Sequence, residues 1–202
     1  MAPRSYQKRR RAEAEEETRR RILDAVYQQL REKPAEPVSV ERVAGAAGVS
    51  RSTVYLVFGS RAGLFDAVGD DLRGRGGFNR MPADGEADAR TSLLESVRAS
   101  VSIFAEHRDV LRALYSMSQL DGDAVGGAIE RMAADRAAGM AWHAQRLADQ
   151  DVLRAGLSVA DAAHLLWAVT GFEFFDQLYA GRGLPADAVA ELMVAAVEHL
   201  VL

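Results

Sequence analysis

Small hydroxyl side chains, an arginine and a phenol lie close together in one short stretch of the sequence. Val54 and Phe58, four residues apart within this stretch, are placed to pack inward on a helix, which leaves the polar side chains outside. Hydroxyl and guanidinium groups hydrogen-bond to phosphate oxygens and to base edges, so a helix with this face is suited to bind DNA. The polar group comprises Ser50, Arg51, Ser52, Thr53 and Tyr55.

Two short helices separated by a tight turn are predicted to position this group. Ser39 can cap a helix over residues 40–47 with its hydroxyl, and Ser50 can cap the next helix in the same way. Gly48 lies between the two helices, and glycine readily adopts the left-handed conformation that ends a helix sharply. This pattern predicts a helix-turn-helix, in which the N-terminal residues of the second helix reach base edges in the major groove.

The charge of the chain is unevenly distributed. The first 68 residues hold 13 basic and 9 acidic side chains, whereas the remainder holds 12 and 20. A basic front and an acidic remainder indicate that one end of the chain meets a polyanion. The longest uncharged stretch, residues 162–172, is shorter than the roughly 18 to 20 residues of a membrane span. With no signal-like apolar segment and no cysteine, we expect a soluble cytoplasmic protein without membrane association.

Basic side chains also cluster near the N-terminus. An apolar stripe at helical spacing, followed by two prolines, predicts the first helix over residues 15–33. Residues 1–14 are expected to form a flexible basic arm that contacts phosphates or the minor groove, or alternatively a solubilising tail. The three arginines at residues 19–21 either pair with glutamates four residues earlier or contact DNA. The cations of the arm are Lys8, Arg9, Arg10 and Arg11.

The segment SVERVAGAAGVSRSTVYLVFGSRAGLF, with TRRRILDAV before it, resembles the DNA-binding domain of the TetR/AcrR family of transcriptional regulators. The resemblance implies that Ser39 holds a phosphate and that Arg61 takes the place of the family's lysine at the start of helix 4, where a phosphate would bind. Leu56 and Val57 depart from the family pattern, which often has polar or aromatic residues there. The resemblance implies that Thr53 and Tyr55 contact phosphate and base edges from the recognition helix, with Arg51 and Ser52 nearby.

The rest of the chain is also predicted to be helical, so the expected fold is all-α. Residues 15–72 are expected to form a three-helix helix-turn-helix DNA-binding domain followed by helix 4 (residues 61–72), and residues 73–202 a helical bundle for ligand binding and dimerisation. Residues 73–89, rich in glycine and charge, are a predicted loop. Further helices are predicted over residues 89–106, 109–120, 124–150, 158–180 and 185–202.

The last two predicted helices carry a broad apolar surface. Apolar residues of the final helix recur at helical spacing, and the helix before it is apolar around most of its circumference. The chain's own bundle could cover these residues, but the family resemblance implies a four-helix interface between two copies, which fits the twofold symmetry of operators. The interface of the homodimer would comprise Trp167, Gly171, Val189, Leu192, Met193, Ala196, Val197 and Leu200.

Bulky apolar and aromatic residues of the C-terminal part fit either a core or the lining of a small-molecule pocket. The resemblance implies that the bundle encloses a small-molecule effector, so we expect an apolar or aromatic ligand. The lining would comprise Phe104, Tyr115, Met117, Met140, Trp142, Trp167, Phe174 and Phe175.

Motifs of common enzyme classes are absent from the sequence. The four histidines are scattered without an HExxH pattern, and neither a GxxxxGK[ST] phosphate loop nor a GxSxG turn occurs. We therefore expect no catalytic residue, metal or cofactor, and interpret the chain as a sequence-specific transcriptional regulator, a repressor that its ligand releases from a double-stranded DNA operator. The alternative is an architectural or adaptor protein without ligand control, which predicts salt-sensitive DNA binding with little sequence preference.

Overall fold

The computed structural model describes residues 4–34, 36–75 and 88–202. Within these ranges the chain forms α-helices joined by turns, with one π-helical turn at Gly122–Gly126, and no β-strand occurs in them. The all-α prediction is confirmed. The α-helices are α1 (Arg4–Glu32), α2 (Val40–Ala46), α3 (Arg51–Phe58), α4 (Arg61–Arg75), α5 (Ala89–Glu106), α6 (Arg108–Leu120), α7 (Gly127–Asp149), α8 (Val159–Val169), α9 (Phe172–Tyr179) and α10 (Ala186–Val201).

The chain divides into two compact units, and neither is continuous in sequence. The first unit comprises Met1–Leu72 and Asp109–Ile129, and the second comprises Arg73–Arg108 and Glu130–Leu202. Nearly all of α6 thus belongs with the N-terminal helices, whereas the sequence pattern had grouped it with the C-terminal bundle.

The first unit has its core beneath α1. The predicted apolar stripe of this helix, Ile22, Val26 and Leu30, is fully buried. Two polar side chains of the same helix tie it to its neighbours. The hydroxyl of Tyr27 donates to the backbone carbonyl of Val68 on α4 at 3.4 Å, and the side-chain oxygen of Gln29 accepts from the backbone amide that precedes α2, at 3.2 Å. These contacts fix the helix-turn-helix relative to α1 and α4.

The first helix begins well before residue 15, where it was predicted to start. It extends back to Arg4, so the basic residues expected on a flexible arm lie on helical turns instead. Arg9 pairs with Glu13 at 2.9 Å and Arg11 pairs with Glu15 at 3.0 Å, both at a spacing of four residues. Such pairs each stabilise an exposed helix by about 0.2–0.5 kcal/mol, which explains why the helix continues although its early turns bury no apolar side chain.

The second unit is organised around the last helix, α10, which packs against α5, α8 and α9. Its buried side chains meet those of α5 in a core that also includes Leu166 and Phe175. Two ion pairs between α5 and α10 border this core, Arg98 with Glu191 at 2.8 Å and Arg90 with Glu198 at 2.5 Å. The fully buried side chains of α10 are Val189, Met193, Val197 and Val201.

The helix predicted over residues 158–180 is two helices, because the chain turns between Thr170 and Gly171. The start is as expected, since the hydroxyl of Ser158 accepts from the backbone amide of Asp161 at 3.1 Å. At the break, the hydroxyl of Thr170 donates to the carbonyl of Leu166 at 2.6 Å, and Gly171 is extended with φ −78° and ψ 160°. Periodicity alone could not reveal the break, because the apolar pattern continues across it.

The predicted loop over residues 73–89 falls largely on residues 76–87, which lie outside the described residues. At its edges, α4 continues to Arg75, and Asp88 caps α5 by accepting from the backbone amide of Thr91 at 2.9 Å. In the part of the chain that the structure describes, every helix is too short or too polar to cross a membrane.

Candidate nucleic-acid interface

The α2–turn–α3 segment adopts the predicted helix-turn-helix geometry. The hydroxyl of Ser39 caps α2 by accepting from the backbone amide of Arg42 at 3.4 Å. The turn passes through Gly48, whose φ of +66° is strained for any residue with a side chain. The backbone amide of Val49 then donates to the carbonyl of Ala44 at 2.9 Å, which closes the turn. The cap by Ser39 and the turn at Gly48, both predicted from the sequence, are therefore present in the structure.

A compact network of hydroxyls forms the N-terminus of α3. The hydroxyl of Ser50 accepts from the backbone amide of Thr53 at 3.1 Å, which caps the helix. The same oxygen lies 2.7 Å from the hydroxyl of Ser52 and 2.8 Å from that of Thr53. The structure thus brings together three of the residues predicted to bind DNA, and holds their hydroxyls in one hydrogen-bonded group at a helix end that favours anions.

Arg51 and Tyr55 form a second pair on the same helix. The guanidinium of Arg51 donates to the phenolic oxygen of Tyr55 at 3.4 Å, and its central carbon lies 5.6 Å from the centre of the ring. This hydrogen bond raises the pKa of Arg51, so the guanidinium stays positively charged. Arg51 is exposed and Tyr55 is half-buried, so the pair presents a fixed cation and a phenol beside the hydroxyl network.

Two arginines of α1 support the helix-turn-helix, a role that the sequence pattern did not reveal. Arg19 lies over the ring of Phe58 with its central carbon 4.8 Å from the ring centre, and Arg21 donates to the carbonyl of Ala47 at 3.1 Å. Arg20 pairs with Glu17 at 2.6 Å, one turn earlier on α1. The sequence predicted pairs at four-residue spacing, Glu15 with Arg19 and Glu17 with Arg21, but the structure pairs Glu15 with Arg11 and Glu17 with Arg20. The contacts of Arg19 and Arg21 with the ends of α2 and α3 depend on how the helices pack.

The connection from α3 to α4 is very tight. Gly59 has φ +75°, and the backbone amide of Ser60 donates to the carbonyl of Phe58 at 2.9 Å, as in a γ-turn. The hydroxyl of Ser60 accepts from the backbone amide of Gly63 at 2.9 Å and so caps α4. A Cβ atom on Gly63 would collide with the carbonyl of Phe58. The glycine at this position therefore has a steric cause, the close approach of the two helices.

Arg61, predicted to hold a phosphate at the start of α4, is bound by groups of its own unit. Its guanidinium forms an ion pair with the carboxylate of Asp121 and donates to the carbonyl of Val38 at 3.3 Å. Both charged side chains of the pair are partly exposed, at 28% and 34%. The partner comes from the segment after α6, and no local pattern in the sequence links the two positions.

The outer face of α3 is defined by its burial pattern. Val54 and Phe58 are buried, as predicted, and Thr53 and Val57 are half-buried. Ser52 is exposed on the opposite side. Leu56 is the more unusual residue there, with 85% of its surface exposed.

The remaining predicted DNA contacts lie on the early turns of α1. Lys8, Arg9, Arg10 and Arg11 are all exposed, and the guanidinium carbon of Arg10 lies 6.0 Å from the ring centre of Tyr6. They form a helical basic surface, in which Arg9 and Arg11 are partly neutralised by their glutamate partners.

The residues predicted to line a ligand pocket are divided between the units. Tyr115 and Met117 belong to the first unit, and the other six belong to the second. Within the second unit, Phe104 and Phe175 are buried with ring centres 5.6 Å apart, as part of a cluster with Phe172. The half-buried members of the second unit are Met140, Trp142 and Phe174.

The residues predicted to form a dimer interface differ in exposure. Val189, Met193 and Val197 are fully buried within their own chain, so they cannot contact a second copy. Trp167 and Leu192 remain 42% and 48% exposed, whereas Gly171 is buried at the helix break. Ala196 and Leu200 are half-buried on α10.

The described ranges contain no group of three or more His, Cys, Asp or Glu side chains that could hold a metal ion. The hydroxyl and arginine face of α3 is instead a surface for hydrogen bonds and for anionic groups.

The chain resembles known proteins both in the sequence of its N-terminal part and in its fold. The model of the bacterial regulatory proteins, tetR family, matches residues 22–68, which span the C-terminal part of α1, all of α2 and α3, and the first half of α4. A putative TetR-family transcriptional regulator from Rhodococcus sp. is 18% identical, with 93% of this chain and 100% of that chain covered and a TM-score of 0.74. NalD, the secondary repressor of the MexAB-OprM multidrug efflux pump in Pseudomonas aeruginosa, is 25% identical, with coverages of 93% and 98% and a TM-score of 0.74.

A third solved structure, the fatty acid degradation regulator FadR from Bacillus halodurans, is 15% identical, with coverages of 89% and 93% and a TM-score of 0.70. The search of curated proteins found no match. The matched family model covers the helix-turn-helix described above, and the solved structures extend the shared fold to nearly the whole chain. Residues 22–68 of the chain thus match the tetR family of bacterial regulatory proteins, and nearly the whole chain shares the fold of solved TetR-family regulators.

Proposed function

We propose that the chain acts in the cytoplasm as a homodimeric repressor, which binds a double-stranded DNA operator through α3 and leaves it when a small apolar or aromatic molecule binds. The observation that carries the proposal is the polar face of α3. The hydroxyl network of Ser50, Ser52 and Thr53 lies beside the Arg51–Tyr55 pair on a helix anchored from α1.

Sequence-specific binding needs side chains that are already placed to meet base edges, because ordering them on binding costs free energy. On α3, the cap at Ser50 and the hydrogen bond from Arg51 to Tyr55 restrict the side chains that would make these contacts. The basic surface of α1 would add contacts with phosphates, which carry affinity without sequence information.

The exposed apolar residues of the second unit support the proposal of a dimer. Trp167 on α8 and Leu192 on α10 are among the large apolar side chains that the described chain leaves exposed, and a second copy would cover them. Two copies related by a twofold axis would place two α3 helices on the half-sites of a palindromic operator.

Repression and release by a ligand are supported by separate observations. NalD, 25% identical over nearly its whole length, is described as a secondary repressor of a multidrug efflux pump. The second unit contains half-buried aromatic side chains, among them Trp142 and Phe174, which a ligand of apolar or aromatic character would contact. Since linkage is reciprocal, a ligand that weakens operator binding must itself bind less tightly to the DNA-bound protein.

Fluorescence anisotropy tests the DNA-binding part of the proposal. The purified chain is titrated onto a labelled duplex from beside its own gene and onto a scrambled duplex, over a series of salt concentrations. The double variant Thr53→Ala/Tyr55→Ala should bind the specific duplex about tenfold or more weakly, because it lacks two polar contacts. Ser102→Ala, which removes an exposed hydroxyl of α5, is the matched control and should bind as the wild type does.

If the wild type binds both duplexes equally and loses both with salt, a selection from random DNA decides between a distant operator and an architectural role. A preferred sequence recovered from that selection supports the regulator, and the absence of any preference supports the architectural protein. Ligand control is then tested by quenching of tryptophan fluorescence, because Trp142 and Trp167 both belong to the second unit.

A further inference from the structure

An exposed leucine occupies the centre of the outer face of α3. Leu56 is 85% exposed, although it lies in the same helix as the buried Val54 and Phe58. With 3.6 residues per turn, a position two residues from both of these points away from the core. Ser52, one turn earlier, lies on the same outer side and is also exposed.

The neighbours of Leu56 are polar and are held in place. Tyr55 is bound by Arg51, and Thr53 by Ser50. In a helix whose N-terminal residues enter the major groove, a side chain at the middle of the outer face lies close to the base edges. Leucine has no donor or acceptor, so it cannot hydrogen-bond to a phosphate or to a base.

The major groove of duplex DNA presents one apolar group among its base edges, the 5-methyl group of thymine. We propose that Leu56 reads this methyl group, so that each half-site of the operator contains a thymine at the position that Leu56 faces. The inference rests on the proposed function, because it requires α3 to enter the major groove. It adds a determinant of specificity that acts by apolar contact, beside the hydrogen-bonding residues of the same helix.

The test removes the methyl group from the DNA and the leucine side chain from the protein, separately and together. An operator is first selected from random DNA with the wild type. Each thymine in it is then replaced singly by deoxyuridine, which differs only by the missing methyl group. At one thymine per half-site, the wild type should lose roughly fourfold in affinity, the effect of exposing one buried methyl group.

The variant Leu56→Ala should bind the unmodified operator more weakly than the wild type and should be indifferent to deoxyuridine at that same position. Leu120→Ala is the matched control, because Leu120 is 84% exposed in the same unit but lies at the end of α6. It should respond to deoxyuridine as the wild type does.

The outcomes distinguish a failure of the proposed function from a failure of the role assigned to Leu56. If the wild type selects no preferred sequence, the proposed function fails and the role of Leu56 is overturned with it. If an operator is selected but the wild type and Leu56→Ala respond alike to deoxyuridine at every thymine, the regulator stands and the role of Leu56 is refuted. A loss at one thymine that is absent only in Leu56→Ala supports the assignment.

Discussion

Arg61, the first residue of α4, forms an ion pair with Asp121, which follows α6, and both belong to the first compact unit. A cation at the N-terminus of a helix is unfavourable against the helix dipole unless an anion lies beside it. In the structure that anion is Asp121. If the start of α4 approaches a phosphate of DNA, as the sequence resemblance predicts, the phosphate and Asp121 compete for the same guanidinium.

The variant Asp121→Asn tests this competition. Because Arg61 would then be released to bind a phosphate, we expect a rise of a few-fold in affinity for duplex DNA at low salt. The dependence of log affinity on log salt should steepen by about 0.9, the value for one added phosphate contact. Asp123→Asn, which changes an exposed carboxylate two residues away, is the control. It should change both the affinity for DNA and its salt dependence less than Asp121→Asn does. Unchanged binding by Asp121→Asn would show that Arg61 does not reach DNA.

The same ion pair shows which features the sequence could predict. The caps at Ser39 and Ser50 and the turn at Gly48 depend on residues within a few positions, so local patterns identified them. Asp121 is distant in sequence from Arg61, and only the packing of the helices reveals the contact.

The positions of some helix ends could not be predicted from the apolar pattern of the sequence, because hydrogen bonds and ion pairs determine them. The break at Thr170 is made by a side-chain hydrogen bond within a continuous apolar pattern. The early start of α1 reflects ion pairs such as Arg9 with Glu13, which carry no apolar periodicity. The burial of Val189 and Met193 within their own chain likewise could not be told from burial in a dimer, because both require the same apolar stripe.

The glycine in the first turn of α4 provides a prediction about stability. Gly63→Ala places a methyl group against the carbonyl of Phe58, and we expect the free energy of unfolding to fall by about 1–3 kcal/mol. Gly45→Ala is the matched control, because nothing lies within 4 Å of a Cβ atom there. It should raise the free energy of unfolding by up to about 1 kcal/mol, since alanine favours a helix over glycine. Urea denaturation followed by circular dichroism measures both, and equal effects would contradict the steric reason.

The exposed apolar residues of the second unit lead to a prediction about assembly. Leu192→Glu puts a charge at a position that is 48% exposed on α10. If this surface contacts a second copy, the variant should shift the chain from dimer to monomer in sedimentation velocity and weaken binding to a palindromic operator. Leu120→Glu, at a more exposed leucine of the first unit, should leave the dimer intact. A variant Leu192→Glu that remains dimeric would place the interface elsewhere.

A buried histidine of the second unit makes stability depend on pH. His143 on α7 is only 3% exposed, and burial, with a smaller contribution from the nearby charge of Arg146, lowers its pKa from 6.5 to about 4. Below pH 6.5 the histidine of the unfolded chain takes up a proton, whereas the folded chain keeps it neutral until about pH 4. Protonation therefore favours the unfolded chain as the pH falls through this window, and has no effect above it.

The loss of stability attributable to His143 is therefore absent above pH 6.5, grows as the pH falls toward 4, and reaches about 3 kcal/mol. Carboxylates titrate over the same range, so the measurement is a difference. The free energy of unfolding of His143→Gln should fall less steeply than that of the wild type between pH 6.5 and 4. His164→Gln, at an exposed position of α8, should follow the wild type. Parallel curves for His143→Gln and the wild type would show that His143 becomes protonated in the folded chain as readily as in the unfolded one.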